Sequence, residues 1–221
     1  WGQGAKVGSS FSNTKSIELD GVDDKVTFSD ITASGAFTIS FWIKPTAFNN
    51  SGGSFPFGTE TGNANFFKLQ SASSAQINIG SSFATYSNGG SGNDFVLSQW
   101  QNVALVRDAS NAVLVYLNGV AWSTGATASS TLTINSIGRV ISSSFGYRGH
   151  IDEFAFWNSD QSANLSAIHG SGVPTSLASY SPVHWYRCGD GDSAPTLLDN
   201  GSGGNNATMV NFSAFSTDVP T

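Results

Sequence analysis

The sequence predicts an all-β sandwich with one short helix, and three observations carry that prediction. Stretches 16–28, 36–45, 100–108 with 113–119, and 149–158 alternate apolar and polar residues with a period of two. Turn chemistry bounds them, including Asp20-Gly21 and Asn118-Gly119. Many short strands follow one another at near-regular spacing, the pattern of two packed sheets. A chain of 221 residues is long for an average domain but ordinary for one sandwich. A core of that size does not depend on disulfides.

Residues 1–15 read as a Gly/Ser/Asn-rich arm in which Trp1 and Phe11 are the groups able to dock on the body. Residues 16–215 read as a single domain and 216–221 as a tail. Strands are expected at 16–19 and 25–28 around the turn Asp20–Asp24. The next, 36–44, sets Phe37, Ile39, Phe41 and Ile43 on one face and Thr38, Ser40, Trp42 and Lys44 on the other, and Pro45 ends it. Residues 49–62 read as a loop, 66–70 and 76–79 as short strands, and 87–94 as a Gly/Asn-rich loop. Strands 100–107 and 113–117 form a pair, and Asn118-Gly119 leads into 120–123. Strands 131–137, 140–142 and 150–157 complete the main series. A helix is expected over 162–169, capped by Ser162 or Asn164 and stopped by Gly170. Residues 171–182 read as a linker, 183–187 as a strand, 190–206 as a loop and 207–212 as a last strand.

Hydrophobic residues make up 39% of the chain and aromatics 12%, so it is globular. Charged residues make up only 11%, so Ser, Thr, Asn and Gly must cover the surface, as on extracellular and virion-surface β-proteins. A net charge of −6 argues against wrapping phosphate backbones and leaves cations as partners. The single Cys188 has no intrachain partner and reads as a buried small hydrophobe. No run of 18 apolar residues is present, so no helical membrane insertion is expected. The start at Trp1, with no signal peptide, reads as a processed product or an excised piece.

Asp20, Asp23 and Asp24 share one turn, and Asp152 begins a late strand; together they are a candidate oxygen-donor set for calcium. The same turn residues also serve plain turn geometry. Asp190, Asp192, Asp199 and Asn200 form a weaker acidic group, without the spacing of a calcium loop. Glycan hydrolysis needs two carboxylates at a set separation. The best pair is Glu18 with Asp20, which share a strand face. His150, His169 and His184 lack metal-ligand spacing. The glycine clusters 89–92 and 201–204 open no helix and are no phosphate cradle. Tyr86, Trp122, Phe145 and Tyr147 lie in or near predicted loops, where a ring stacks on a sugar face. Trp42, Trp100, Trp157 and Trp185 lie inside strands and read as packing. Five Asn-x-Ser/Thr triplets, at Asn49, Asn164, Asn200, Asn206 and Asn211, read as chance in so Asn/Ser/Thr-rich a chain.

Leu19–Asp24, Phe37–Trp42, Trp100 with Val103–Arg107, Tyr116–Gly119 and Gly149–Trp157 resemble the laminin-G-like, concanavalin A-like lectin/glucanase jelly rolls. The resemblance implies a jelly-roll sandwich used to bind and adhere, and only sometimes to cut sugars. It also implies the option of one calcium. Residues 183–215 resemble the segment that usually opens such a jelly roll, so a circular permutation is expected, with these strands closing the same sandwich. The ending is also similar to modules in virion proteins of tailed phages. The expected function is therefore a non-catalytic adhesion module for surface carbohydrate, a host-surface glycan, displayed on a virion or otherwise extracellular. The alternative is a structural protein engaging capsid or tail proteins, with an oligomer as one of its forms. A glycoside hydrolase is the remote third.

Overall fold

A computed structural model describes residues 11–48, 53–80, 82–123, 125–140 and 145–221, with residue 145 described in its backbone only. β1 (Ser16–Asp20) buries Ile17 and Leu19 and exposes Glu18 and Asp20. β2 (Lys25–Ala33) belongs to the other sheet, so the aspartate turn between them is a corner of the sandwich. β3 (Phe37–Pro45) is buried on both faces: its phenylalanines and isoleucines face the core, and later chain covers Thr38, Ser40 and Trp42.

β4 (Ser54–Gly58) lies where the sequence predicts a loop. Pro56 sits at a register shift between Ser54 and Phe57, and a bulge is where a strand tolerates proline. β5 (Asn65–Ser71), β6 (Ser74–Ile79) and β7 (Ser82–Ser87) continue as an antiparallel meander, and β7, also absent from the sequence-based expectation, is its edge. β8 (Gln101–Arg107) and β9 (Ala112–Leu117) form a hairpin. Asp108 Oδ1 closes that turn by accepting N–H from Ser110 and Ala112. Short strands β10 (Val120–Ala121) and β11 (Ala126–Thr127) pair with β9. β12 (Leu132–Ile137), β13 (Arg139–Val140), β14 (Phe145–Gly146) and the long β15 (Arg148–Trp157) follow.

The expected helix is a 3-10 turn, Ser162–Asn164, running into α1 (Leu165–Ile168). Asn164 holds the N-cap position of α1, as expected, but its side chain makes no capping hydrogen bond. One turn earlier, the Asp160 carboxylate accepts N–H from Ser162 at 2.8 Å. Gly170 stops the helix with φ +62°. Strands β16 (His184–Tyr186), β17 (Thr196–Leu197), β18 (Ala207–Val210) and β19 (Phe215–Ser216) end the chain.

Among the described residues, the first sheet runs β10-β9-β8-β3-β15-β1-β19, with β16 also on β15. The second runs β17-β18-β2-β12-β4-β5-β6-β7. The late strands thus join both sheets: β16 pairs β15, β18 pairs β2 and β19 pairs β1. Residues 216–221 are not a loose tail. Asp218 accepts from Trp100 Nε1 at 2.8 Å, pairs with Lys44 and takes the Ser16 hydroxyl on its carbonyl. Between the sheets, Phe41 meets Phe57, Phe67 and Phe154 at ring separations of 5.5–5.9 Å. Arg107, fully buried, plugs one end of the core. Its guanidinium lies 4.8 Å over Phe37 and donates to the carbonyls of Ala33, Gly35, Ala128 and Ser130.

One irregularity organises the outer side of the first sheet. β1 pairs with residues 148–151 of β15 and β16 with 154–156, leaving 152 and 153 between them. Opposite, β3 meets β15 through a bulge, and Glu153 takes φ +49°. Ile151 and Phe154 face the core, and the two carboxylates between them do not. Glu153 accepts from Trp185 Nε1 and from Arg187 Nε, and Asp152 accepts from Asn13 Nδ2 at 2.9 Å. The Arg187 guanidinium lies over the rings of Phe11 and Trp185, which stack on each other. Asp190 accepts from the Thr14 and Lys15 amides. Residues 11–15 of the arm are thereby tied to the body; Trp1 lies outside the described residues.

Candidate functional site

The outer face of the second sheet carries the arrangement best suited to a ligand. Gly58, Phe66, Asn78 and Phe83 are successive cross-strand partners on β4, β5, β6 and β7. Lys68, Gln76 and Thr85 form the next row on the same face, because side chains alternate along a strand. Phe83 is 55% exposed and is the one aromatic ring among the described residues that stands mostly in solvent. The ring of Phe66 lies 6.1 Å from it, and Phe55 lies 5.2 Å from Phe66 in an edge-on contact. Asn78 donates to the Asn63 carbonyl, and its Oδ1 has no partner. The Lys68 ammonium sits 5.6 Å above the Phe55 ring. An exposed ring beside amides and hydroxyls can take the apolar face of a small polar ligand and bond its edges.

The predicted site residues fall elsewhere. Tyr86, Trp122 and Tyr147 are 2%, 2% and 0% exposed, so their rings offer no face to a sugar; this corrects the expectation. Tyr86 points inward from β7, Trp122 packs edge-on against Phe95 at 5.1 Å, and the Tyr147 hydroxyl donates to the His150 carbonyl. The Phe145 side chain and Asn49 lie outside the described residues.

Asp20, Asp23 and Asp24 do converge, each offering an oxygen within 4.8 Å of the others. Asp152 does not join them. Asp20 pairs with Arg148 and Ile17 with Ile151, which puts Asp152 four positions along β15, about 13 Å away. Asp152 is also fully buried. Within the turn, Asp20 Oδ1 accepts N–H from Val22, Asp23 and Asp24, and Asp24 Oδ2 accepts N–H from Asp20. Burial acts to raise Asp20, and those N–H bonds hold it below the usual carboxylate range. Burial, then the charges of Asp20 and Asp23, push Asp24 up. A hard divalent cation relieves that repulsion, so the donor set fits one. Glu18, Asp20 and Asp24 also line a groove of about 320 Å³ with residues 212–216.

The second acidic group folds its own loop. Asp199 accepts from His184 Nδ1 at 2.7 Å and from the amides of Trp185, Gly201 and Asn205, and Asp192 accepts from Gly189 and Leu198. Cys188 is fully buried, as its neighbours predict.

The model of the concanavalin A-like lectin/glucanases superfamily, a laminin-G type, matches residues 20–164. The chain belongs to the concanavalin A-like lectin/glucanase superfamily. Solved structures similar to this superfamily member carry the same fold. A candidate carbohydrate-binding protein of Bacteroides ovatus is 17% identical with a TM-score of 0.71, covering 95% of this chain and 62% of its own. The chain therefore spans less than two thirds of that protein. Domain 4 of an extracellular arabinanase of Geobacillus stearothermophilus, solved with arabinotriose, is 18% identical with a TM-score of 0.54, covering 75% of this chain and 78% of its own. The CBM40 of a Ruminococcus gnavus sialidase, bound to α2,3-sialyllactose, is 15% identical with a TM-score of 0.52, covering 73% of this chain and all of its own. Curated proteins give no match.

Proposed function

We propose that this chain is a non-catalytic carbohydrate-binding module that holds surface glycan on the outer face of its second sheet. The observation that carries the reading is the exposed Phe83 ring, flanked by Phe66 and by the amides of Asn78 and Gln76. Two fold neighbours solved with arabinotriose and sialyllactose support the ligand class. The charge-poor surface supports display outside a cell, on a virion or a cell envelope.

Phe83→Ala tests it. The ring is already mostly in water, so the melting temperature stays within about 2 °C of the parent. Losing one stacking face removes about 1.4 kcal/mol, a tenfold weaker Kd on a glycan array and by calorimetry. Equal binding by the variant and the parent sinks this face as the site.

The reading also includes calcium at Asp20, Asp23 and Asp24. Millimolar calcium is expected to raise the melting temperature by a few degrees, and Asp24→Asn to abolish that rise. A calcium-independent melt reduces the cluster to turn geometry.

A further inference from the structure

We infer that the glycan taken by this face is acidic, and that Lys68 reads its negative charge. The inference rests on the binding reading above and specifies it. The face is otherwise covered by uncharged groups: Thr27, Ser29, Thr133, Asn135, Gln76, Asn78 and Thr85. Its other charges are committed or distant from the rings. Lys25 is paired with Glu60, and Asp30 accepts from Asn135 Nδ2 at 2.9 Å. Lys68 has no carboxylate partner among the described residues.

The ammonium is also not a loose surface charge. Its stem is half-buried, and it is held over Phe55, the ring that packs on Phe66. A folded protein of net charge −6 that keeps an unpaired cation at one end of an aromatic strip has placed an anion receptor there. From Lys68 to Phe83 the path crosses two strands and two residues, roughly 12 Å between backbone positions. A ligand of two or more sugar rings bridges that span, with one ring on Phe83 and its carboxylate, sulfate or phosphate at Lys68. The protein's overall negative charge does not defeat this, because its field beyond about 8 Å is screened at physiological salt.

The test uses immobilised galacturonate, sialylated and sulfated oligosaccharides. Each is set beside an uncharged counterpart, the methyl ester or the desulfated form. Parent, Lys68→Gln, Lys68→Arg and Phe83→Ala are compared at two salt concentrations. Expected is at least tenfold tighter binding to one acidic class, lost in Lys68→Gln, largely restored in Lys68→Arg and weakened by salt. Which acidic class responds tells carboxylate from sulfate. Equal binding to charged and uncharged forms, unchanged in Lys68→Gln but lost in Phe83→Ala, overturns the inference and leaves the binding site standing. Binding to none of the sugars overturns both.

Discussion

Replacing Arg107 with methionine is expected to be among the most destabilising single changes in the domain, at about 4 kcal/mol. The guanidinium is fully buried and has no carboxylate partner among the described residues; four backbone carbonyls solvate it instead. Of those carbonyls, Ala33's lies at the last paired position of β2, and those of Gly35, Ala128 and Ser130 lie in connecting segments at the end of the sandwich. Methionine fills the volume and satisfies none of them, so the buried carbonyls of Ala33 and Ala128 are left dry. Burial already pulls the Arg107 pKa down, but arginine starts so high that it stays charged. Lysine should recover less than half of the loss, since one ammonium cannot reproduce a planar fork spanning four acceptors. Urea denaturation monitored by tryptophan fluorescence gives the number. A methionine variant within 1 kcal/mol of the parent refutes this account of the plug.

The second large effect is a pH dependence with an unusual sign. Burial, reinforced by the charge of Glu153, raises Asp152 well above the usual carboxylate range, and burial raises Glu153 to about 7 against the pull of Arg187. Asp152 is the partner that keeps its proton, since Glu153 faces the Arg187 charge while Asp152 accepts only from uncharged donors, Asn13 Nδ2 and the Glu153 amide. Asn13 Oδ1 is otherwise buried without a partner. With its amide turned, it accepts the proton on Asp152. A carboxyl whose folded pKa is raised contributes stability that is complete below its unfolded value near 4 and is lost as pH climbs through the folded one. Asp20, Asp199 and Asp218 are shifted down and act oppositely, losing their contribution below about pH 4. His150 and His169, lowered by burial, also lose their contribution as pH falls below about 6.5. The stability maximum is therefore expected between about pH 5 and 7, with a decline above it. Asp152→Asn keeps the shape and the hydrogen bonds without the charge. It should stand roughly 2 kcal/mol above the parent at pH 8, or about 4–8 °C in melting temperature, and near parity at pH 5. An Asp152→Asn variant no more stable than the parent at pH 8 would contradict the assignment.

The fold was legible because its largest strands state their own faces. Phe37, Ile39, Phe41 and Ile43 alternate without a break, and all four are buried on the core side. The acidic turn and the 149–157 run carried the family. What escaped was structure that depends on neighbours. β4 holds Pro56, which argues against a strand until a bulge is known to receive it. β19 is two residues long and exists only because β1 lies beside it. The proposed binding face escaped for a reason of parity. Tyr86 stands in the same strand as Phe83, three residues on, so one must point in when the other points out. Reading 80–86 as unassigned chain left that parity unused and selected the inward ring. Asp152 was misplaced because composition says nothing of which residues a strand register sets opposite the Asp20 corner.

The pairing of β19 with β1 and of β18 with β2 has a consequence for how the protein is made. Ser16 meets its hydroxyl acceptor at Asp218, 202 positions later. At ribosomal speeds, roughly 10–40 s separate the emergence of those two residues. During that interval β1 and β2 each offer an open, hydrogen-bonding edge to any strand nearby. The nascent chain cannot seal itself piecemeal, so ribosome-bound lengths stopping short of residue 207 should be the species that chaperones hold and that aggregate when released.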